Sequence, residues 1–373
     1  MLKKENVFEE VSNPTAEQVK KALMIHCFMV EKRDGRIKAR AVADGRSQIQ
    51  YTEEEPYSPT VKLESIMLNA FIDAYEGGYV ATVDIKGAFL KAKVPNNMEL
   101  IVKITGELAK IMCEIDPDIK QDQKGVIYLK FVKALYGHIE AARLFYDDMN
   151  KTIQDVMGFK QNRYDLCVYN KETAEGTVTI RVHVDNLKIS YKSKDQLYMT
   201  IMKLKEVYGE ITVHHGNEHN YPGMILIYHP EGKKITLNMK NYVKSIIKEI
   251  EQVNSNDTVK QVKTPASNNL FRVRKENEAS YLKQDKSSIF HSTTAKLLFL
   301  AKRGRPDILL AVSFLTTRVK RPDMDDWKKM MRVLGYLKET INFELVISCE
   351  ELRNLTWYID GSYAVYDDMK GQS

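Results

Sequence analysis

Apolar residues recur at two spacings along this chain, and the switches between them mark its elements. Alternation at every second position predicts strands with one buried face; recurrence at three and four predicts helices. Residues 1–22 are charged and read as loose or helical. The stretch LMIHCFMVEKRDGRIKARAVADGRSQ reads as two strands around Asp34-Gly35, a dipeptide suited to a tight hairpin. SPTVKLESIMLNAFIDAYEGG reads as a helix with Thr60 as its N-cap, Ile66, Phe71 and Ala74 on its apolar side, and Gly77 at its stop.

YVATVDIKGAFL is a buried strand that runs into a turn or short helix at Asp84. LKFVKALYGHIEAARLFYDDMNKTIQDVMGF is a strand and then a long helix, and CVYNKETAEGTVTIRVHVDNLKISYK is three short strands. In the last of these, Val178, Ile180, Val182 and Val184 alternate before the tip, and Leu187, Ile189 and Tyr191 after it. The phase changes from even to odd across Asp185-Asn186, which assigns those two residues to the turn.

KDQLYMTIMKLKEVYG reads as a helix, YPGMILIYHPEGKKITLN as strands, and NMKNYVKSIIKEIEQV as an amphipathic helix. That helix sets Tyr242, Ile246 and Ile250 on one side and a stripe of Lys240, Lys244 and Lys248 on another. Residues 254–288 are polar and without period, as a linker or extended connection would be. Helices follow around 291–303, 306–319 and 323–339, the third with Trp327, Met331, Leu334 and Leu337 on one face. The strands FELVIS and LTWYIDGSYA come last.

Composition narrows the class. With 43% hydrophobic and 28% charged residues, the 373-residue chain is globular, and its length suggests two or three domains. The net charge of +6 is too mild to identify a nucleic-acid partner by itself. The four cysteines, Cys27, Cys113, Cys167 and Cys349, form no CxxC pair, which argues against a zinc site or a disulfide framework. No signal-peptide pattern and no apolar run long enough to span a bilayer is present, so no membrane partner is expected.

The chemistry starts with two acids. Asp84 ends one apolar strand and Asp185 tops a hairpin. Carboxylates at strand ends can meet on one sheet and share divalent ions about 4 Å apart, the arrangement that two-metal nucleotidyl transfer requires. Taken alone, two such aspartates are more simply the residues of ordinary turns and caps.

The words around them carry a resemblance. RIKARAVADGRSQ, VATVDIKGAFL, LKFVKALYGHIEAARLFYDDM, FKQNRYDLCVYNK, VHVDNLKIS, YPGMILIY, AKLLFLAKRGRPDILLAVSFLTTRVKRP and WYIDGSYAVYDDMKG occur in this order. Together they resemble the reverse transcriptase of copia-type (Pseudoviridae-like) LTR retrotransposons, from about residue 33 to the end. The resemblance implies an α+β fold of the right-hand polymerase kind: fingers, a palm with an antiparallel sheet, and a helical thumb within 23–253. A charged segment at 1–22 would precede them. A linker and helical connection at 254–350 and the truncated start of an RNase H domain at 351–373 would follow. It implies RNA-directed DNA polymerisation on an RNA template from a DNA primer, with dNTPs as substrates and Mg²⁺, or alternatively Mn²⁺, as cofactor. The implied partners are the other polyprotein products, capsid and integrase, and the implied setting is a cytoplasmic particle, with a nuclear stage tied to DNA integration.

The resemblance also assigns roles. Asp84 and Asp185 would ligate metal, assisted by the backbone carbonyl of Ile85. Phe89 is either the aromatic that blocks a 2′-OH or a core phenylalanine. Gly87 and Ala88 would present backbone N–H groups to the triphosphate. Lys38 and Arg40 either reach the phosphates or form an exposed basic face. Tyr136 and Gly137 would lie under the template or nucleotide; Gly137 is otherwise a plain strand-to-helix turn. The lysine stripe and the cluster of Arg303, Arg305, Lys328, Lys329 and Arg332 would follow a duplex, or else are solvated surface.

Three departures qualify the polymerase reading. Asn186 stands where the family has a second aspartate, so the site has one formal negative charge fewer to face two cations. Pro222 stands in a strand where the family has leucine. Asp360 matches the first RNase H acid, but the later ones have no counterpart before Ser373, so RNase H activity is not expected. The expectation is a reverse transcriptase impaired by Asn186; its rival is a catalytically inactive remnant that at most binds nucleic acid.

Overall fold

A computed structural model describes residues 6–31, 35, 37–48, 56–221, 223–253, 258–348, 351–352 and 356. It divides into two compact units: residues 1–65 with 79–214, and residues 66–78 with 215–373. The expected 23–253 segment is thus shared between units, and residues 1–22 belong to the first.

The first unit carries β1 (Phe8–Glu10), α1 (Ala16–Lys21), β2 (Leu23–Glu31), β3 (Ile37–Ala43) and the start of α2 (Leu63–Tyr75). It continues with β4 (Tyr79–Ile85), β5 (Leu100–Ile104), α3 (Gly106–Ile115), β6 (Ile127–Phe131) and α4 (Ala141–Lys151). It closes with β7 (Lys160–Gln161), β8 (Val168–Thr173), β9 (Gly176–His183), β10 (Asn186–Tyr191), α5 (Lys194–Tyr208) and β11 (Ile211–His215). One sheet has the order β1-β6-β5-β2-β3, the other β11-β4-β10-β9-β8-β7. Strands β2 and β5 pair in parallel, whereas β1–β6, β5–β6, β2–β3, β4–β10, β9–β10, β8–β9 and β7–β8 are antiparallel. The expected α+β class is borne out.

The N-terminal segment is more structured than its charge suggests. Val7 is fully buried, β1 pairs with β6, and α1 opens on a capping box between Thr15 and Gln18. The expected β2–β3 hairpin forms with Glu31 opposite Ile37; Asp34 of its turn lies outside the described residues. Helix α2 begins at Leu63, too late for Thr60 to cap it. The Lys62 N–H instead donates to the Asp165 carboxylate at 2.8 Å.

The second unit contains β12 (Glu218–Tyr221), β13 (Met224–His229), β14 (Lys234–Asn238), α6 (Lys240–Val253), α7 (Gln284–Ala301), α8 (Leu309–Thr316), α9 (Met324–Glu339) and β15 (Leu345–Ser348). Its sheet has the order β12-β13-β14-β15. Helix α7 starts seven residues before the expected 291, because the polar turn Gln284–Ser288 already winds with it. Helix α9 is capped by Asp323, whose side chain accepts from the N–H groups of Asp325 and Asp326.

Up to the start of α7 at Gln284, the described residues of the expected linker form no helix or strand beyond an isolated bridge from Tyr281 to Asp323, yet the segment is not loose. Val259 and Leu270 are buried, Val262 N–H donates to Gly335 O at 3.4 Å, and Lys338 donates to Val259 O at 3.2 Å. It is a strap laid along α9. Pro222, Asp360 and the expected strand around it lie outside the described residues.

Candidate active site

Strand β4 is apolar on both sides until it reaches Asp84: Val83 and Ile85 are buried and Asp84 is exposed between them. Strand β10 runs antiparallel to it with Asn186 opposite Asp84 and Leu187 opposite Val83. The Ile85 N–H donates to the Asp185 carbonyl at 3.3 Å. Two acids about 100 positions apart in the chain therefore end on neighbouring strands of one sheet.

The hairpin tip differs from the expectation by one residue. His183 pairs with Asn186 and Val182 with Leu187, so the turn is Val184-Asp185 and Asn186 is the first residue of β10. Val184 has φ +57, a conformation that a β-branched residue adopts only under strain. The Asn186 amide donates to Asp185 Oδ1 at 3.0 Å. The neutral side chain thus presents its positive end to the carboxylate beside it.

Charge is uneven here. Burial, and then the Asp185 carboxylate, push the Asp84 carboxyl above its ordinary value, against the pull of Lys38 and Lys86. Burial, then Asp185, raise the Tyr136 phenol as well, with Arg40 opposing. Lys38 and Arg40, both exposed on β3, are therefore electrostatic neighbours of the acid pair and its tyrosine. Lys86, which motif reading passed over, also pairs with Glu210. Its signal in the sequence was only its position two residues after Asp84.

Two glycines explain how β3 comes so near. Gly137 has φ +89, and a Cβ there would lie 2.0 Å from the Ala43 carbonyl oxygen and 2.6 Å from Val42 Cγ1. A Cβ at Gly45 would lie 2.3 Å from the Gly137 oxygen. The Ala43 N–H donates to Tyr136 O at 2.8 Å. Gly137 is thus required by the approach of β3 itself, a reason beyond either of the two that the sequence left open.

Phe89 is half-buried and packs on Tyr136 at 4.5 Å between centroids and on Phe145 at 5.9 Å. Phe89 thus belongs to an aromatic cluster while keeping partial exposure, so both expected roles remain compatible with its placement. Gly87, at φ +63, opens the single 3₁₀ turn Ala88–Lys91, and Ala88 is fully buried. Beside β3, a groove of about 390 Å³ is lined by His26, Phe28, Asp44, Arg46, Gly137 and Ile139. Arg46 grips Asp44 through two side-chain bonds, at 2.9 and 2.7 Å, and holds its carboxyl well below the usual range.

The expected basic cluster of the second unit does not behave as one surface. Arg305 is buried and forks onto Asp307 at 3.0 and 2.7 Å while donating to Thr340 Oγ1 and O. Lys329 pairs with Asp325 at 3.0 Å and donates to Arg272 O, and Arg332 donates to Thr264 Oγ1. These three hold the strap and the helix ends, so the expectation that they follow a duplex is corrected. Lys328, Lys244 and Lys248 remain exposed, and Lys240 donates to Asn342 Oδ1.

A family model described as reverse transcriptase (RNA-dependent DNA polymerase) matches residues 5–265. The chain belongs to the reverse transcriptase family. Among curated proteins this reverse transcriptase domain is 28% identical over 237 residues to a putative transposon Ty5-1 protein of Saccharomyces cerevisiae, covering 63% of this chain and 72% of that protein. It is 24% identical over 325 residues to the retrovirus-related Pol polyprotein from transposon TNT 1-94 of Nicotiana tabacum, covering 83% of this chain and 22% of the polyprotein. The domain therefore spans about a fifth of such a polyprotein's length. Among solved structures, a foamy viral protease–reverse transcriptase in complex with double-stranded DNA overlays with a TM-score of 0.47 at 12% identity, covering 90% of this chain and 46% of that one. No helix among the described residues is long and apolar enough to cross a membrane.

Proposed function

We propose that this reverse transcriptase domain is the polymerase of a copia-type retrotransposon, extending a DNA primer on an RNA template, and that Asn186 impairs it. The observation that carries the reading is the convergence of Asp84 and Asp185 on adjoining strands, where the Asp185 carboxylate adds to the cost of ionising Asp84. Two like charges set side by side suit a site completed by cations. Fingers, palm and thumb would occupy 23–253, the connection 254–350 and the start of an RNase H domain 351–373.

The donor set is oxygen only, as a hard ion such as Mg²⁺ prefers, with Mn²⁺ as an alternative. Asp84, Asp185 and the Ile85 carbonyl would hold it; when bound it supplies charge neutralisation and Lewis acidity. Among the described residues no group of three or more His, Cys, Asp or Glu side chains is arranged to hold a metal. The reaction is attack of the primer 3′-hydroxyl on the α-phosphate of a dNTP, with pyrophosphate leaving. In it Lys38 and Arg40 draw the triphosphate towards the acids, and the N–H groups of Gly87 and Ala88 cradle it. Tyr136 and Phe89 form an aromatic floor beneath the nucleotide, and Phe89 turns its edge to the sugar. Asn186 supplies an amide where a carboxylate would add charge, and its bond to Asp185 Oδ1 takes up a lone pair that a cation would use. Capsid and integrase of the same polyprotein would be its partners in a cytoplasmic particle.

The test is paired: primer extension on poly(rA)·oligo(dT) and duplex affinity at one salt concentration, for the native chain and N186D. Extension by the native chain should be slower at least about tenfold, the low end of what loss of a supporting partner costs a metal site, with affinity unchanged. Equal rates would show that Asn186 is tolerated. Binding without extension in both would instead favour the rival reading, an inactive remnant that only binds nucleic acid.

A further inference from the structure

Arg303 follows the end of α7 and lies flat on Phe299, with its guanidinium carbon 3.6 Å from the ring centroid. Its Nη1 makes only a long 3.4 Å bond to the Phe299 carbonyl, and its Nε is buried with no hydrogen-bond partner. No carboxylate among the described residues pairs with it. Burial lowers its pKa, and the Tyr242 phenol is the one counterweight. The nearby cation Lys296 is already held by Glu249. Two residues on, Arg305 has every advantage that Arg303 lacks: a forked carboxylate and two bonds to Thr340.

An arginine cannot shed its proton to escape burial, so a half-buried guanidinium without an anion is a standing cost. Phe299 offsets part of it through its π face. The same ring is wedged in place by Tyr242, 5.2 Å away between centroids, and by Gly223 at φ +81, where a Cβ would lie 3.0 Å from Phe299 Cζ. The guanidinium is thus held on an aromatic platform, and Arg303 as a whole keeps partial contact with solvent. A planar fork of this kind matches a phosphate.

We propose that Arg303 is a phosphate-contacting residue that takes a backbone phosphodiester of an RNA–DNA duplex. This rests on the reading of the chain as a nucleic-acid-binding polymerase. The test measures affinity of the full chain for a short RNA–DNA hybrid by fluorescence anisotropy across a salt series, for the native protein, R303K and R303M. Each phosphate contact contributes about one unit to the slope of log affinity against log salt. R303M should make that slope shallower by about one unit and weaken binding several-fold at physiological salt, while R303K keeps most of both. Thermal melts check that R303M still folds, and a parallel titration with dTTP should be unmoved by either variant. An unchanged slope in a folded R303M overturns the proposal and leaves the polymerase reading intact. A loss of dTTP binding without loss of hybrid binding also overturns it, since the anion would then be a free nucleotide. A native chain that shows no salt-dependent hybrid binding overturns both.

Discussion

The turn that carries Asp185 and the pocket that holds Arg305 treat charge in opposite ways. At the first, one carboxylate makes another harder to ionise, an amide supplies donors but no charge, and a valine is held at φ +57. At the second, one guanidinium meets one carboxylate and one threonine, and almost every donor is used. Burial would raise Asp307, but its bonds to Arg305 and Tyr336 outweigh that and hold it below its ordinary value, whereas Asp84 is raised. The difference separates roles that sequence alone ran together. Charges satisfied within the fold stabilise it, while charges left in mutual conflict mark where an outside partner completes the set.

The comparison breaks most sharply at Asp84. Substituting D84N in an N186D background should reduce primer extension at least about 100-fold, the upper end of the cost of losing a metal-site partner. The same change should raise the melting temperature slightly at pH 7. A raised carboxyl favours its protonated form in the fold, so its contribution to stability is present at low pH and lost as pH rises through that pKa. The gain should accordingly vanish near pH 3, where Asp84 is protonated anyway. Millimolar Mg²⁺ should raise the melting temperature of N186D but not of the double variant. A melting temperature lowered by D84N at pH 7 would show that the acid is structural.

R305M should act in reverse, lowering stability by about 3 kcal/mol, as breaking one side of a buried ion pair does, with no change in the salt slope of duplex binding. Denaturant unfolding measures the first and the hybrid titration the second. Asp307 has the opposite linkage to Asp84: its stabilisation is present above its unfolded pKa and lost as pH falls through the lowered folded value. The native chain should therefore lose the contribution of the Arg305 pocket in acid, and R305M should show a flatter acid limb.

The smallest effect should come from V184G. Glycine accepts positive φ without strain, so the change should stabilise the fold by about 1 kcal/mol. In the N186D background it should also slow extension, because a looser turn fixes Asp185 less well. A destabilised V184G would mean that the packing of the valine outweighs its strain.

Much of the framework was legible from periodicity, because a buried strand or helix face leaves a repeat that no other arrangement needs. The hairpin β9–β10 was found this way, yet its turn was misplaced by one residue. A two-residue turn at 184–185 and one at 185–186 both set even positions before the tip opposite odd positions after it. Alternation is blind to that shift, so the phase change across the tip could not by itself choose between the two turns. Thr60 failed as a cap for a related reason: the acceptor for the Lys62 N–H is Asp165, a contact 103 positions away that no local rule can see. Arg305, Lys329 and Arg332 were misread because a run of basic residues does not show which charges are already paired. That Asp84 and Asp185 meet on one sheet was legible because each lies at the end of an apolar strand pattern.

One pairing bears on how the chain is made. Strand β14 is joined on its outer side by β15, with Leu237 opposite Leu345. During synthesis the three strands before α6 can assemble early, but the edge of β14 stays open until the chain has grown by more than a hundred residues. At ribosomal speeds of about 5–20 residues per second, that is a wait of roughly 5–20 s. Throughout it an unsatisfied strand edge is offered to any neighbour, including another nascent copy on the same message. The late arrival of four residues, Leu345–Ser348, thus makes translation rate and chaperone supply part of what decides whether this protein reaches its fold.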